Sequence, residues 1–315
     1  MKQNKISFFI VGYPRSGTTM AASLLTRNPD IYIPPETQFF RSFMHELPKV
    51  QTKETLINAF IENKRLSDIG VTHSHLKNFS PKKHQITWLL NTALEIKAKE
   101  LNKSIIGEKT PAHLLHFKEI INNYPDSKFI VIIRDGRDCV LSNIKEKWTF
   151  SNPVKHAAEW NLYMNNYCEL INKYPDKVLT IRYEDILDTP SDSVKKITEF
   201  VGATFNTKQM EKDESKSVIP EWEKNWKAKA SEAPDKQNKY KWKLHQNKAL
   251  LMALTFIMEK HLNTHSYDTL LTHNLSAPRR AYLYIRYFIY MPKIYPIIKK
   301  LASTSIYKSL KHIQS

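Results

Sequence analysis

The residue types most suited to chemistry sit in a few short strings. The first is Gly12-Tyr-Pro-Arg-Ser-Gly17-Thr18-Thr19, which has the frame of a phosphate-binding loop, G-x4-G-x-[ST]. Its glycines let the backbone approach a ligand and take positive φ. A helix starting there would offer free N–H groups and a positive dipole end to an anion. One position departs from the ATP-binding form of this loop. Thr18 stands where a lysine would follow the second glycine, and the positive charge sits at Arg15 instead. A nucleoside-triphosphate enzyme also wants an acidic residue at the end of another strand, to hold magnesium. The apolar run Lys128–Ile133 leads into Arg134 rather than into Asp. Both departures predict a monoanionic group handled without a metal.

The second string is Arg134-Asp-Gly-Arg137-Asp-Cys-Val-Leu-Ser142. It follows a strand pattern, and open parallel sheets bind ligands at the C-terminal ends of their strands. Arg134 and Ser142 are suitable donors to a phosphate monoester. Two further candidates lie elsewhere. Glu36, in PPETQFF, comes 21 residues after Arg15 and is a candidate general base. Lys109, in GEKTP, is a candidate for stabilising charge that develops during group transfer. Glu108 beside it is expected to pair with Lys109 or Arg15. His113 and His116 lie close by without an evident role. His73 and His75 form H-x-H, which on a strand would suit a metal, but they lack cysteine or acidic companions and read as surface residues.

These strings resemble a known family. YPRSGTT near residue 13 and IIRDGRDCVLS near residue 133 are similar to the two nucleotide-binding segments of sulfotransferases, enzymes that use 3'-phosphoadenosine 5'-phosphosulfate. The resemblance runs from about Ile6 to Asp268. It implies that Arg15, Ser16, Gly17, Thr18 and Thr19 hold the 5'-phosphosulfate, and that Arg134 and Ser142 hold the 3'-phosphate. Tyr183, in RYEDIL, matches a position lining the nucleotide. Lys241-Trp242 loosely resembles the late basic segment that closes over it, with Lys239 beside it. In the glycan and protein-tyrosine types a Glu in the place of Glu36 is the base and a Lys lies in the segment of Lys109. Phe39-Phe40 looks more like the glycan type. The implied catalytic residues are Glu36, Lys109 and Arg15, with no metal.

The elements that must position these side chains are legible as a pattern. Ile6–Val11, Lys103–Gly107, Lys128–Ile133 and Val178–Tyr183 read as buried strands. Between them lie helical patterns over Thr18–Thr26, Glu54–Asn63, Ile86–Leu101, Ala112–Asn122, Gly136 onward and Thr189–Val201, with Asn247–Leu262 after them. Alternation of this kind predicts an α/β, P-loop-like three-layer fold: a central, mostly parallel sheet with helices on both faces. Residues 206–246 read as a long surface excursion. Trp148, Trp160, Tyr163 and Tyr167 suit an acceptor cleft or, for most of them, the core.

The bulk numbers fit an anion-handling enzyme. The 315 residues carry 48 Lys and Arg against 31 Asp and Glu, a net charge of +17. Nucleotides, acidic glycans, nucleic acid and anionic membranes are the partners such a charge attracts. Two cysteines exclude a disulfide scaffold and a four-cysteine zinc site. MKQNKIS followed by FFIVG is too short for a signal peptide and reads as a buried strand. From Thr269 to Ser315 there is no acidic residue, while eight Lys and Arg alternate with aromatics. That tail suits a membrane interface, an anionic polymer, or a helical pair packed on the domain. The expected organisation is a domain at 1–268 with a basic extension at 269–315. The expected function is sulfuryl transfer from the nucleotide donor to a hydroxyl or amine of a glycan or glycolipid, with protein tyrosine as the alternative acceptor. A P-loop kinase-like phosphotransferase or a non-catalytic nucleotide binder is the rival reading. With no Golgi-type anchor and Met1 at the start, a cytoplasmic protein is expected, peripheral at the inner membrane face through its tail and not bound to nucleic acid.

Overall fold

The structure is a computed structural model, and it describes residues 6–47, 52–77, 85–146, 149, 151–210, 234–269, 272 and 275–290. The chain divides into two compact units: Met1–Arg134 with Tyr167–Lys239, and Asp135–Asn166 with Tyr240–Ser315. In chain order the elements are β1 Phe8–Gly12, α1 Thr18–Leu25, β2 Ile31–Tyr32, α2 Lys53–Glu62, α3 Gln85–Glu100, β3 Ile105–Lys109, α4 Phe117–Asn123 and β4 Lys128–Ile133. There follow α5 Gly136–Asn143, α6 Pro153–Lys173, β5 Val178–Arg182, α7 Tyr183–Asp188, α8 Pro190–Phe200, α9 Lys248–Thr264 and α10 Ala277–Ile289.

The strands form one parallel sheet in the order β2-β3-β1-β4-β5. The α/β expectation therefore holds, with one strand more than the sequence suggested. β1 is central because all five of its residues are buried, as a strand covered on both faces requires. Its side chains alternate between those faces. Phe8 and Ile10 pack with Leu24 and Leu25 of α1 and with Val194 and Ile197 of α8. Phe9 turns the other way, onto Phe40, Tyr124 and His113. β3 and β2 lie on one side of β1 and β4 and β5 on the other, so the strand order switches direction there. The C-terminal ends of β1 and β4 thus flank the crevice where such sheets bind ligands.

Several expected boundaries shift for local reasons. β3 starts at Ile105 and runs through Lys109, because Lys103 and Ser104 are spent on a turn, donating to the carbonyls of Ala98 and Asp30. The helix expected over Ala112–Asn122 is a 3-10 turn from Pro111 to His116 followed by α4. His73 and His75 lie in an exposed helical turn, not on a strand, and face Glu54 and Glu100. The long α6 carries Trp160, Tyr163 and Tyr167, all buried, so these aromatics are core. Trp148 and most of the 206–246 excursion lie outside the described residues. Cys139 and Cys168 are free thiols. Among the described residues no helix is long and apolar enough to cross a membrane.

Candidate active site

The loop between β1 and α1 is shaped by close approach. Gly17, the N-cap of α1, has φ 100°, and a Cβ there would stand 2.3 Å from the Tyr183 ring. Only glycine meets both demands. A Cβ on Gly12 would meet the Ile132 carbonyl oxygen at 2.4 Å. Arg15 also takes a left-handed conformation, φ 71°, which costs energy in a non-glycine residue. Gly17 offers no side chain to cap α1, so the first N–H groups of the helix stay open to an anion. Ser16 is buried at 1% exposure, and its Oγ finds no hydrogen-bond partner among the described residues. A buried hydroxyl without a partner is costly, and it suits a ligand oxygen. Cradle, open helix end and waiting hydroxyl fit a phosphosulfate group.

Arg134 closes this loop from β4. Its guanidinium donates to the carbonyls of Arg15 (3.2 Å) and Asn238 (3.0 Å) and lies 4.2 Å above the Tyr183 ring. The structure therefore brings Arg15, Ser16, Gly17, Thr18, Thr19, Arg134 and Tyr183 together. Lys239 is held by Asp188, at 2.7 Å. Ser142, half-buried on α5, and Lys241, exposed in the 3-10 turn Lys241–Leu244, belong to the other unit.

In that unit Arg137 plays a part that no local sequence pattern announces. It is fully buried, forks onto Asp135 through Nε (3.0 Å) and Nη2 (2.7 Å), and stacks 3.6 Å from Trp242. The Trp242 N–H donates to Asp138 at 2.7 Å. The RDGRD string thereby ties down the segment that carries Lys241.

Glu36 and Lys109 meet. The Lys109 ammonium is 3.1 Å from Glu36 Oε2 and 3.4 Å from Thr19 Oγ1. Lys109 is buried, and Glu36 is 9% exposed, at the edge of solvent. Gln38, which sequence reasoning passed over, donates its amide to Glu36 and sits in a left-handed conformation.

Glu108 does not pair with Lys109 or Arg15 as expected. Adjacent strand residues face opposite sides, so β3 sends Lys109 toward Thr19 and Glu108 into the opposite layer. There Glu108 is fully enclosed and accepts from Thr37 Oγ1 (2.7 Å), Thr110 Oγ1 (2.7 Å) and His113 Nδ1 (2.8 Å). Burial pushes its carboxyl up, but the His113 ring and the hydroxyl donors outweigh that and hold it below the ordinary carboxylate value. His113 Nε2 accepts the Phe40 N–H at 3.1 Å, so the ring is the neutral Nδ1–H tautomer with both nitrogens engaged. The Gln38 N–H donates to Thr110 Oγ1. The segment bearing Glu36 is thus bolted to the segment bearing Lys109. Phe39 and Phe40 are fully buried and pack on each other and on Phe43 and His113. They are core and say nothing about the acceptor. His116 is half-buried, and burial, with His113, His45 and Arg41 nearby, pushes its imidazole down to about 4.

Comparisons with known proteins agree with this geometry. Residues 7–207 match the model of the sulfotransferase family. The protein-tyrosine sulfotransferase of Drosophila melanogaster is 27% identical over 208 residues, covering 63% of this chain and 38% of its own length. Protein-tyrosine sulfotransferase 1 of Danio rerio is 26% identical over 205 residues, covering 63% of this chain and 53% of its own length. The chain therefore spans about half, or less, of the length of these curated relatives. Among solved structures, the sulfotransferase domain of the Synechococcus PCC 7002 olefin synthase superposes with a TM-score of 0.61 at 20% identity, over 85% of this chain and 97% of that chain. At that identity it supports the fold alone. With the family model matched over more than half of its residues, the chain belongs to the sulfotransferase family.

Proposed function

We propose that this protein moves a sulfuryl group from 3'-phosphoadenosine 5'-phosphosulfate to the phenol oxygen of a tyrosine in a protein, with Glu36 as general base. The observation that carries this reading is the Lys109–Glu36 pair, 3.1 Å apart, set beside Thr19 at the open end of α1. When bound, the donor supplies an electrophilic sulfur and a phosphate leaving group. Ser16 and the first N–H groups of α1 hold its 5' end, with Arg15, Thr18 and Thr19. Arg134 and Tyr183 hold the nucleoside 3'-phosphate end, a role that the sequence resemblance also assigns to Ser142 and Lys241. Glu36 accepts the proton of the attacking hydroxyl. Lys109 offsets the negative charge that builds on the leaving oxygen, from a buried position where a charge acts most strongly.

A carbohydrate acceptor finds no support in the relatives named above, whose names specify protein tyrosine. Phe39-Phe40, the residues that look glycan-like, are core. The kinase reading lacks a magnesium-holding acid at the end of β4, which leads into Arg134. Calorimetry separates these readings. Tight binding of adenosine 3',5'-bisphosphate without metal, lost in Arg15→Ala and in Arg134→Ala, is expected. Magnesium-dependent ATP binding in its place would contradict it.

A further inference from the structure

The helix α10 is apolar on the wrong side for a packed helix. Its inward side is anchored: Leu283 is buried, Tyr284 meets Phe256 of α9 edge-on at 5.1 Å, and the hydroxyls of Tyr287 and of Tyr290 at the helix end accept from Asn161 (3.4 Å) and Asn152 (2.8 Å). Arg280 also turns inward, donating to the carbonyls of Leu275 (3.1 Å) and Thr272 (3.2 Å). At 3.6 residues per turn, Ala281, Tyr282, Ile285, Phe288 and Ile289 share an arc of about 120° on the other side. Tyr282 is 56% exposed, Ile285 62% and Phe288 57%. With Tyr284 at 62%, α10 holds four of the six exposed large hydrophobics among the described residues. Arg279 and Arg286 both line one edge of the apolar arc, and the Arg286 guanidinium lies against the Tyr282 ring, 5.7 Å from its centre. No acidic residue occurs from 269 to 315, against eight Lys and Arg.

We propose that α10 docks in the surface of an anionic lipid bilayer. An outward apolar arc with arginines at its edge suits that boundary: Tyr282, Ile285 and Phe288 enter among the acyl chains, and Arg279 and Arg286 reach back to lipid phosphates. The charge of the tail fits the negative leaflet and would be repelled by a second copy of itself. The role is independent of the sulfuryl chemistry, since none of these residues belongs to the candidate active site.

The test is sedimentation of the full chain with vesicles of phosphatidylglycerol and phosphatidylcholine, beside vesicles of phosphatidylcholine alone. The wild type is expected to sediment with the anionic vesicles and to be released by salt. The combined variant Tyr282→Ser, Ile285→Ser, Phe288→Ser is expected to lose roughly tenfold or more in vesicle affinity. Its melting temperature and nucleotide binding should match the wild type, because the three side chains face outward. As a second reading, Ile285→Cys carrying an environment-sensitive dye should shift to the blue only when anionic vesicles are added. The idea is overturned if the full chain ignores anionic vesicles or if the triple variant binds them equally. A dye already shifted without lipid would also overturn it. So would a wild-type dimer that the triple substitution splits.

Discussion

Two buried glutamates, Glu36 and Glu108, belong to one unit but differ in what surrounds them. Glu108 is enclosed, accepts from three neighbours, and is held ionised by them. Glu36 lies at the solvent edge and faces a buried lysine beside the phosphate-binding loop. The first joins two loops; the second points at the place where chemistry would occur. A carboxylate ringed by fixed donors is architecture, because its proton affinity has been driven away from the working range. A carboxylate at the edge of solvent, set against a cation, is a candidate for moving a proton.

The sharpest break of this contrast is in turnover. Glu36→Gln keeps an acceptor for Lys109 but cannot take a proton. Its kcat is expected to fall by roughly 10²–10⁴, with the affinity for adenosine 3',5'-bisphosphate unchanged by calorimetry. Lys109→Ala should cost kcat about 10²–10³ if it stabilises leaving-group charge, again with the nucleotide retained. Equal kcat in wild type and Glu36→Gln would remove the base assignment.

Glu108 should break differently. Glu108→Ala strips the acceptor from Thr37, Thr110 and His113 in a fully buried site. Each stranded donor costs about 1–3 kcal/mol, so a loss of roughly 3 kcal/mol or more is expected in urea unfolding. Glu36→Gln should lose much less. If the two variants were equally destabilised, the division between architecture and chemistry would fail.

The smallest effect is in the pH dependence of stability. The imidazoles of His116 and His261 are pushed down to about 4, in both cases chiefly by burial. Between their ordinary value near 6.5 and 4 the unfolded chain binds protons that the folded chain does not, so stability falls as pH falls through that window. His116→Gln should flatten this slope in melting scans. The Glu108 network contributes at all pH values above the ordinary carboxylate range and is lost only at lower pH, as the carboxyl protonates.

Much of this was legible in the sequence, for physical reasons that differ by element. KFIVII coincides with β4 to the residue, because an unbroken apolar β-branched run leaves little alternative. The loop Gly12–Thr19 was legible because close backbone approach demands glycine at fixed spacing. The two-residue β2 was not, since its existence rests on pairing with β3 rather than on its own side chains. The partner of Glu108 is not legible from the apolar run, which stops at Gly107 while the strand continues to Lys109. Extending it to Lys109 puts neighbouring side chains on opposite faces and rules out a Glu108–Lys109 pair. Arg137 and Trp242 lie 105 positions apart, and nothing local announces that they stack.

The most direct measurement is transfer of labelled sulfate from 3'-phosphoadenosine 5'-phosphosulfate to a tyrosine peptide, beside the same peptide with phenylalanine and a panel of envelope glycans. Label on the tyrosine peptide alone, without added metal and abolished in Glu36→Gln, is the expected result. Label on a glycan instead, or undiminished transfer by Glu36→Gln, would contradict the assignment of a tyrosine acceptor and a Glu36 base.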